Sequence, residues 1–306
     1  MYYISIIICS YNSEKTILET LKSVEAQTYK NFEVIIVDDA SNDNTLKIIK
    51  EWQNKTSILS ENIMVISALS NEGIVKNINK GLIRAKGEWI KIIAADDILL
   101  KNCLNDNVEW IKKNKDILVL TSIAQYFSDK GILNKVSPSK RDIKKFNYNA
   151  KEQYNELLKK FYICSVTSFI KKEFLKKIDF FDERIPMIED YPFFLKVTKL
   201  GIPIYYMPKK TVKYRVGESV SNTQINIRNL KFYNSQKLVY KYYIEQNISF
   251  FLKMHYRYEF FIYDLSIKIF NNRLNIPSRA FMCFLKSFDL YYLKKKLKNW
   301  ILKDEK

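Results

Sequence analysis

The sequence is poor in the residues that punctuate loops and in those that form thiolate or redox sites. Its 306 residues include only six glycines and six prolines, which argues against a linker-rich or fibrous protein. None of the four cysteines belongs to a Cys-x-x-Cys pair, so neither a thiolate metal site nor a redox motif is predicted. Reduced thiols, as in a cytoplasmic protein, are expected at Cys9, Cys103, Cys164 and Cys283.

Targeting and nucleic-acid signatures are also missing. No run of about eighteen apolar residues is present, so no membrane span is predicted. The first residues, MYYISIIICSYN, have neither a basic leader nor a cleavage site, and they indicate a strand rather than a signal peptide. Zinc-finger spacing, RNP-type motifs and concentrated arginine-rich helices are absent, so no nucleic-acid partner is expected.

The two commonest glycine-rich nucleotide motifs do not occur either. The dinucleotide fingerprint GxGxxG is missing. Gly81 and Gly87 have the wrong spacing for a Walker A loop, and no Gly-Lys-Ser/Thr follows them. The usual dehydrogenase and NTPase assignments are therefore excluded.

Apolar residues and positive charge are abundant. Hydrophobic residues make up 47% and aromatic residues 14% of the chain, enough for a substantial core. The net charge of +18 favours anionic partners such as phosphorylated metabolites or an anionic membrane surface.

The first hundred residues alternate apolar runs with segments of helical periodicity. This order predicts a mostly parallel, Rossmann-like α/β sheet flanked by helices. Strands are predicted at Ile4–Cys9, Phe32–Val37, Ile63–Ile66 and Trp89–Ala94. Helices are predicted around Ile17, Leu21 and Val24, around Leu46, Ile49 and Trp52, and over Val75–Ala85.

The pattern changes twice further along the chain. Residues 118–222 are less regular, and short strands, loops and one or two helices are expected there. Residues 225–306 lack glycine and repeat Tyr, Phe, Leu and Lys at helical intervals, which predicts a helical appendage with a break at Pro277. The predicted domains are 1–224 and 225–306. His255 lies in the appendage, where a structural role is expected.

Polar clusters follow three of the predicted strands: Ser10-Tyr11-Asn12, Asp38-Asp39 and Asp96-Asp97. Ligands bind at the carboxyl ends of the strands in such sheets. Adjacent carboxylates repel each other, and their burial requires a cation or hydrogen-bond donors. One interpretation is a site that holds a diphosphate through a divalent cation with oxygen ligands. The alternative is that these acids cap turns or helices.

Four segments in order resemble the family 2 nucleotide-sugar glycosyltransferases, which are inverting enzymes of GT-A fold. The resemblance covers residues 3–222 and does not include the tail. Its segments are SIIICSYNSEKTILETLKSVEAQTYKNFEVIIVDDASNDNT, NEGIVKNINKGLIRAKGEWIKIIAADDIL, IEDYPFFLKVTKLG and YRVGESVSN.

The resemblance implies roles for the matching residues. Ser10, Tyr11 and Asp39, with Asp38 beside it, would contact the nucleotide. Asp96 would contact the ribose, and Asp96 and Asp97 would hold Mn²⁺ or Mg²⁺ on the diphosphate. Asp190 would be the catalytic base, with Glu189 beside it. Further positive charge near the phosphates is expected from Lys76, Lys209, Lys210 and Arg215, above all from Arg215.

Three positions depart from the family pattern. Ala94 replaces the first aspartate of the usual metal motif, and Gly217 replaces a histidine that often ligates metal or phosphate. Ile78 occupies a position that is frequently arginine, which leaves Lys76 as the nearby cation.

The expected activity is transfer of a sugar from a nucleoside-diphosphate sugar, expected to be a UDP-sugar, to a glycan or lipid-linked saccharide acceptor in envelope polysaccharide or glycolipid synthesis. Two alternatives stay open. The chain can be a non-catalytic relative that binds nucleotide-sugar or glycan, or a membrane-surface scaffold in which the basic tail is the working part.

The last 21 residues, KSFDLYYLKKKLKNWILKDEK, form a basic amphipathic pattern. Seven lysines stand against three acids, and Leu293, Leu297, Trp300 and Ile301 fall on one helical face. Such a helix suits an anionic lipid surface, so a cytoplasmic protein attached peripherally to the inner face of the membrane is expected. The same apolar face would equally suit packing on protein.

Overall fold

The computed structural model describes residues 1–114, 116–217 and 225–289. The chain divides into two compact units, residues 1–217 and 218–306.

The first unit opens with the predicted β–α alternation. Strands β1 and β2 consist almost entirely of apolar residues, and every residue in both is buried, as expected of strands covered on two faces. The elements are β1 Ile4–Ser10, α1 Ile17–Glu25, β2 Phe32–Asp38, α2 Thr45–Gln53, β3 Ile63–Ser67, α3 Ile74–Arg84 and β4 Trp89–Ala94. The four strands are parallel in the order β3-β2-β1-β4, which confirms this part of the sequence prediction.

The rest of the first unit is more regular than the sequence indicates. It contains β5 Ile98–Leu99, α4 Cys103–Lys113, β6 Val119–Ser128, β7 Gly131–Ser137, α5 Lys140–Ile143, α6 Ala150–Lys159, β8 Phe169–Lys171, α7 Lys172–Lys177, α8 Asp190–Lys199 and β9 Tyr205–Arg215. Strand β6 has ten residues and β9 has eleven. Both mix polar with apolar residues, and long-range pairing rather than a local apolar run makes them strands.

The nine strands form one sheet, but only part of it is parallel. Its order is β3-β2-β1-β4-β8-β6-β9-β5, with β7 added to β6. Strand β8 runs antiparallel to both β4 and β6, whereas β6 and β9 are parallel to each other. The fold is therefore mixed α/β, with its parallel half carrying the three predicted polar clusters.

The second unit is helical over its described residues. It contains α9 Leu230–Val239, a π-helical turn at Tyr240–Ile244, α10 Phe250–Ile269 and α11 Ile276–Lys286. Pro277 lies in the first turn of α11, where its missing N–H costs nothing, which confirms the predicted break. His255 Nδ1 lies 2.6 Å from an oxygen of Asp289.

Helices long and apolar enough to cross a membrane do not occur in the described ranges. The amphipathic pattern predicted for residues 286–306 falls almost wholly on residues 290–306, which lie outside the described residues.

Candidate functional site

The carboxyl ends of β2, β1 and β4 lie side by side. Ser10 is in register with Asp38, and Cys9 is in register with Ala94. The next peptide continues the pattern, since the Ala95 N–H donates to the Cys9 carbonyl at 2.9 Å. The polar residues that follow these strands are therefore brought to one edge of the sheet, as the sequence predicts.

Asp38 is a fully buried carboxylate that connects the carboxyl ends of β1 and β2 through hydrogen bonds. It accepts hydrogen bonds from the Ser10 hydroxyl at 2.9 Å and from the Ser41 hydroxyl at 2.6 Å. Its second oxygen accepts the Ser41 N–H at 2.9 Å. These three bonds compensate the cost of burying the charge and fix the loop after β2.

Asp39 connects β2 to the start of α3. Its two oxygens accept the N–H groups of Glu72 at 2.8 Å and Gly73 at 2.9 Å. Gly73 has φ +93°, and a Cβ there would lie 3.0 Å from the Pro186 carbonyl oxygen, so the position requires glycine. Asp39 thus holds this loop with both of its oxygens.

Asp96 and Asp97 form an almost buried acidic pair directly after β4. Asp97 is only 2% exposed. Burial, and after it the neighbouring charge of Asp96, raises the pKa of Asp97 well above its usual value, against the opposing effects of Lys91 and Arg215. Burial likewise raises the pKa of Asp96, although the Arg215 charge lowers it. Burial therefore disfavours the charged form of both carboxyls.

Arg215, at the end of β9, is the cation in direct contact with this pair. Its backbone N–H donates to Asp97 Oδ1 at 2.8 Å, and its Nε donates to the Asp96 carbonyl at 2.9 Å. The rest of the guanidinium pairs with Asp129 at 2.6 Å and with Glu19. The guanidinium carbon also lies 4.4 Å from the ring centroid of Phe127. Arg215 is thus tied to the acidic pair through both its backbone and its side chain.

Glu189 and Asp190 form a second acidic pair at the beginning of α8. Burial, together with the Asp190 charge, raises the pKa of Glu189 to about 8. Burial also raises the pKa of Asp190, whereas hydrogen bonds from the Ser165 hydroxyl and the Tyr191 N–H lower it. Asp190 Oδ1 accepts that N–H at 2.7 Å. The environment of Glu189 therefore favours its protonated form.

Two thiols, the buried Cys9 and the partly exposed Cys164, lie near these acidic groups. Burial raises the pKa of Cys9, and the charges of Glu189 and Asp39 raise it further. The charges of Asp97 and Asp190 both raise the pKa of Cys164, after the larger effect of burial. Each thiol is within electrostatic range of a carboxylate from the parallel strands and of one from the 189–190 pair. Acids from distant parts of the sequence therefore influence the same thiols electrostatically.

The raised pKa of Glu189 predicts how stability depends on pH. In the unfolded chain this carboxyl titrates near 4.5, so between pH 4.5 and 8 only the folded state retains the proton. The associated stability is complete below pH 4.5 and is lost as pH rises through 8. We expect Glu189→Gln to raise the melting temperature relative to wild type by a few degrees at pH 8 and by much less at pH 5. Calorimetry of both proteins at the two pH values is the measurement, and a pH-independent difference would contradict the prediction.

The other predicted cations and the aromatic residue have different surroundings. Lys76 Nζ lies 4.0 Å from Glu72, and Lys209 pairs with Asp106 at 2.5 Å. Lys210 donates to Gln125 at 2.8 Å, and both line a cavity of about 390 Å³ beside β7. Tyr11 is 46% exposed, so its ring is available at the strand end. Each of the three lysines thus has a polar partner in the protein.

The three departures from the family pattern have clear local consequences. Ala94 ends β4 and offers no ligand. A Cβ at Gly217 would meet no other atom within 4 Å, so the position has space for a larger side chain. Ile78 is 1% exposed, so it contributes to the core rather than to the site.

The sequence interpretation missed two residues near the acids. Lys91 is fully buried on β4, and Ser165 reaches Asp190 from the turn before β8. The sequence does contain one signal for Lys91, because it is the single charged residue in the otherwise apolar segment WIKIIA.

A ready-made metal cage is not present among the described residues, since no three His, Cys, Asp or Glu side chains come together there. The carboxylates of Asp96 and Asp97 nevertheless fit a hard divalent cation that takes its remaining ligands from a bound substrate or from water. Asp96 and Asp97 supply carboxylate oxygens, which are the ligands that Mg²⁺ and Mn²⁺ prefer.

Comparison with known proteins identifies the family. A family model described as "Glycosyl transferase family 2" matches residues 5–179. The chain therefore belongs to glycosyl transferase family 2, which confirms the resemblance drawn from the sequence. Its mixed α/β fold is of the GT-A type.

Similar proteins span several organisms. An uncharacterized glycosyltransferase of Methanocaldococcus jannaschii is 28% identical over 87% of this chain and 88% of its own length. The Escherichia coli UDP-Glc:alpha-D-GlcNAc-diphosphoundecaprenol beta-1,3-glucosyltransferase WfaP is 31% identical over 66% of this chain and 72% of its own. The crystal structure of S. aureus TarS has a TM-score of 0.57 and 25% identity, and the match covers 86% of this chain but 43% of TarS.

Proposed function

We propose that the chain is an inverting glycosyltransferase that moves a sugar from a nucleoside-diphosphate sugar to a hydroxyl of a glycan or lipid-linked acceptor. Residues 1–224 would carry the reaction. The observation that supports this best is the convergence of two acidic pairs, Asp96-Asp97 and Glu189-Asp190, in a member of family 2. One pair suits the donor diphosphate and the other suits the acceptor hydroxyl.

The donor is proposed to be a UDP-sugar. WfaP, by its name, uses UDP-Glc and a diphosphoundecaprenol-linked acceptor, and TarS is named as a poly(ribitol-phosphate) β-N-acetylglucosaminyltransferase. These names favour an envelope polysaccharide or glycolipid as product. In this chain Ser10, Tyr11 and Asp39, with Asp38 behind them, would form the nucleotide end of the site. Lys76 and Arg215 would lie towards the phosphates.

A divalent cation, Mn²⁺ or Mg²⁺, would be held by Asp96 and Asp97. When bound, it supplies positive charge that stabilises the departing nucleoside diphosphate. The protein's own contribution is to keep two carboxylates close together before the ligand arrives. Arg215 contributes by donating its backbone N–H to the Asp97 carboxylate and its Nε–H to the Asp96 backbone carbonyl.

Asp190 is the proposed base. It would take the proton from the acceptor hydroxyl as that oxygen attacks the sugar on the face opposite the leaving group, which inverts the anomeric centre. The Ser165 hydroxyl and the Tyr191 N–H orient its carboxylate. Glu189, whose environment favours the protonated form, would lie beside it.

A second candidate function is non-catalytic binding of a nucleotide-sugar or glycan. It is favoured by Ala94 and by the lack of a third acidic ligand among the described residues. One experiment decides between the two: the full chain is incubated with Mn²⁺ and a panel of UDP-sugars, and released UDP is measured. Mn²⁺-dependent release supports the enzyme, whereas melting-temperature shifts without any turnover support the binding protein.

The basic tail is proposed to attach a cytoplasmic enzyme to the inner face of the membrane. Each lysine near an anionic surface contributes about 1 kcal/mol, and salt weakens the attraction. We expect the full chain to co-sediment with phosphatidylserine vesicles in low salt. Replacing Lys294, Lys295 and Lys296 by glutamate should release it, whereas the same change at the exposed Lys112, Lys113 and Lys101 should not. Binding that survives the tail substitutions would contradict this role.

A further inference from the structure

Lys91 is an ammonium group in the middle of the core. Its side chain is 0% exposed, on a strand that is in register with β1 on one side and β8 on the other. Burying a charge is costly unless hydrogen bonds or opposite charges compensate it. Lys91 Nζ donates to the Val166 carbonyl at 2.6 Å and to the Ser168 carbonyl at 3.4 Å. The compensation therefore comes partly from one turn of the chain.

That turn lies against the proposed base. It comprises residues 165–167 and follows Cys164. The Thr167 hydroxyl closes it by donating to the Cys164 carbonyl at 2.8 Å. The Ser165 hydroxyl, in the same turn, lies close enough to the Asp190 carboxyl to lower its pKa. A displacement of the turn would therefore change the orientation of the Asp190 carboxylate.

Lys91 is also close to the other acidic pair. Burial lowers its pKa, while the negative charge of Asp97 opposes that effect. The Lys91 charge in turn lowers the pKa of Asp97. Strand β4, which carries Lys91, also leads to Asp96 and Asp97. Lys91 is therefore connected both to this acidic pair and to the turn near Asp190.

We propose that Lys91 is a positioning residue, which holds the turn at 165–167 against the strand that leads to Asp96 and Asp97. It thereby sets the spacing between the donor-side acids and Asp190. This role rests on the proposed glycosyltransferase function. Lys91 itself touches neither substrate, and its effect reaches the reaction through Ser165 and through the path of β4.

The competing explanation is that Lys91 only contributes to the stability of the core. Lys172 offers a matched control for that effect. Its ammonium donates to the Ala85 carbonyl, and burial lowers its pKa as well. It lies on α7 and has no contact with the turn at 165–167 or with either acidic pair in the bonds described.

The experiment compares Lys91→Met and Lys172→Met in the full chain. Methionine keeps the unbranched shape and removes the charge and the donors. For the UDP-sugar that wild type turns over fastest, we expect Lys91→Met to lower kcat about ten- to a hundredfold with the donor KM changed less than about threefold. Lys172→Met should leave both constants near wild type even where its melting temperature falls. Lys91→Gln, which retains a donor, is the substitute if the methionine variant does not fold.

Two kinetic results would overturn the proposal: equal kcat in both methionine variants, or a Lys91 effect confined to the donor KM. Hydrogen exchange supplies a readout independent of turnover. Faster exchange of the amides at 164–168 in Lys91→Met, but not in Lys172→Met, supports the anchoring contact, and unchanged exchange overturns it. A wild-type chain without turnover would defeat the proposed function, while this exchange measurement would still decide whether Lys91 holds the turn.

Discussion

We expect Asp190→Asn to lower the rate of sugar transfer by about two to four orders of magnitude, the usual scale for loss of a general base. The amide has the same shape, and its oxygen can still accept the Tyr191 N–H that Asp190 accepts at 2.7 Å. It cannot take a proton at neutral pH, so the chemical step alone should suffer. UDP release under saturating donor measures the rate, and the thermal shift given by UDP measures donor affinity, which should change less than about threefold.

The control for this variant is Asp116→Asn, the same change at an exposed aspartate. It should behave like wild type. Glu189→Gln supplies the decisive comparison, because Glu189 is the one other carboxyl in this acidic pair. If Asp190→Asn retained turnover within a few-fold while Glu189→Gln lost it, the role of base would pass to Glu189.

The second large effect is expected on metal-dependent nucleotide binding. A ligand at about one hundred times its Kd stabilises the folded state by about 2.7 kcal/mol. We expect wild type to show such a shift with UDP and Mn²⁺ together, and Asp97→Asn to lose the part that depends on Mn²⁺. The asparagine oxygen can keep the bond from the Arg215 N–H, so the loop should stay folded.

Without ligand, the Asp97→Asn variant should melt no lower than wild type. The asparagine side chain is neutral, so the substitution removes the repulsion between the carboxylates of residues 96 and 97. After burial, the charge of Asp96 is the second cause of the raised pKa of Asp97. Asp97→Ala should lose the same Mn²⁺-dependent shift but melt lower, since the Arg215 N–H then lacks its acceptor. A full Mn²⁺-dependent shift in both variants, with circular dichroism like that of wild type, would place the metal at other residues.

The parallel half of the fold was predictable because its signals are local. Strands β1 and β2 are mostly apolar. The apolar residues Ile17, Leu21 and Val24 on α1 are all buried, as their spacing indicates. Strands β6 and β9 were not predictable in the same way. Their sequences are mixed, and they become strands because β6 pairs with three other strands and β9 with two.

The amino-acid sequence by itself determined the family and the positions of the acidic pairs. Both follow from short motifs, and from the apolar runs before them, that can be recognised in the linear sequence. Only the tertiary structure decided how far those acids share one environment. Residues 97 and 190 act on the same thiol, Cys164, although almost a hundred positions separate them. The burial that raises the pKa of Glu189, and the core position of Lys91, also depend on neighbours that are distant in sequence. Burial and electrostatic interactions act through space, so no local pattern encodes them.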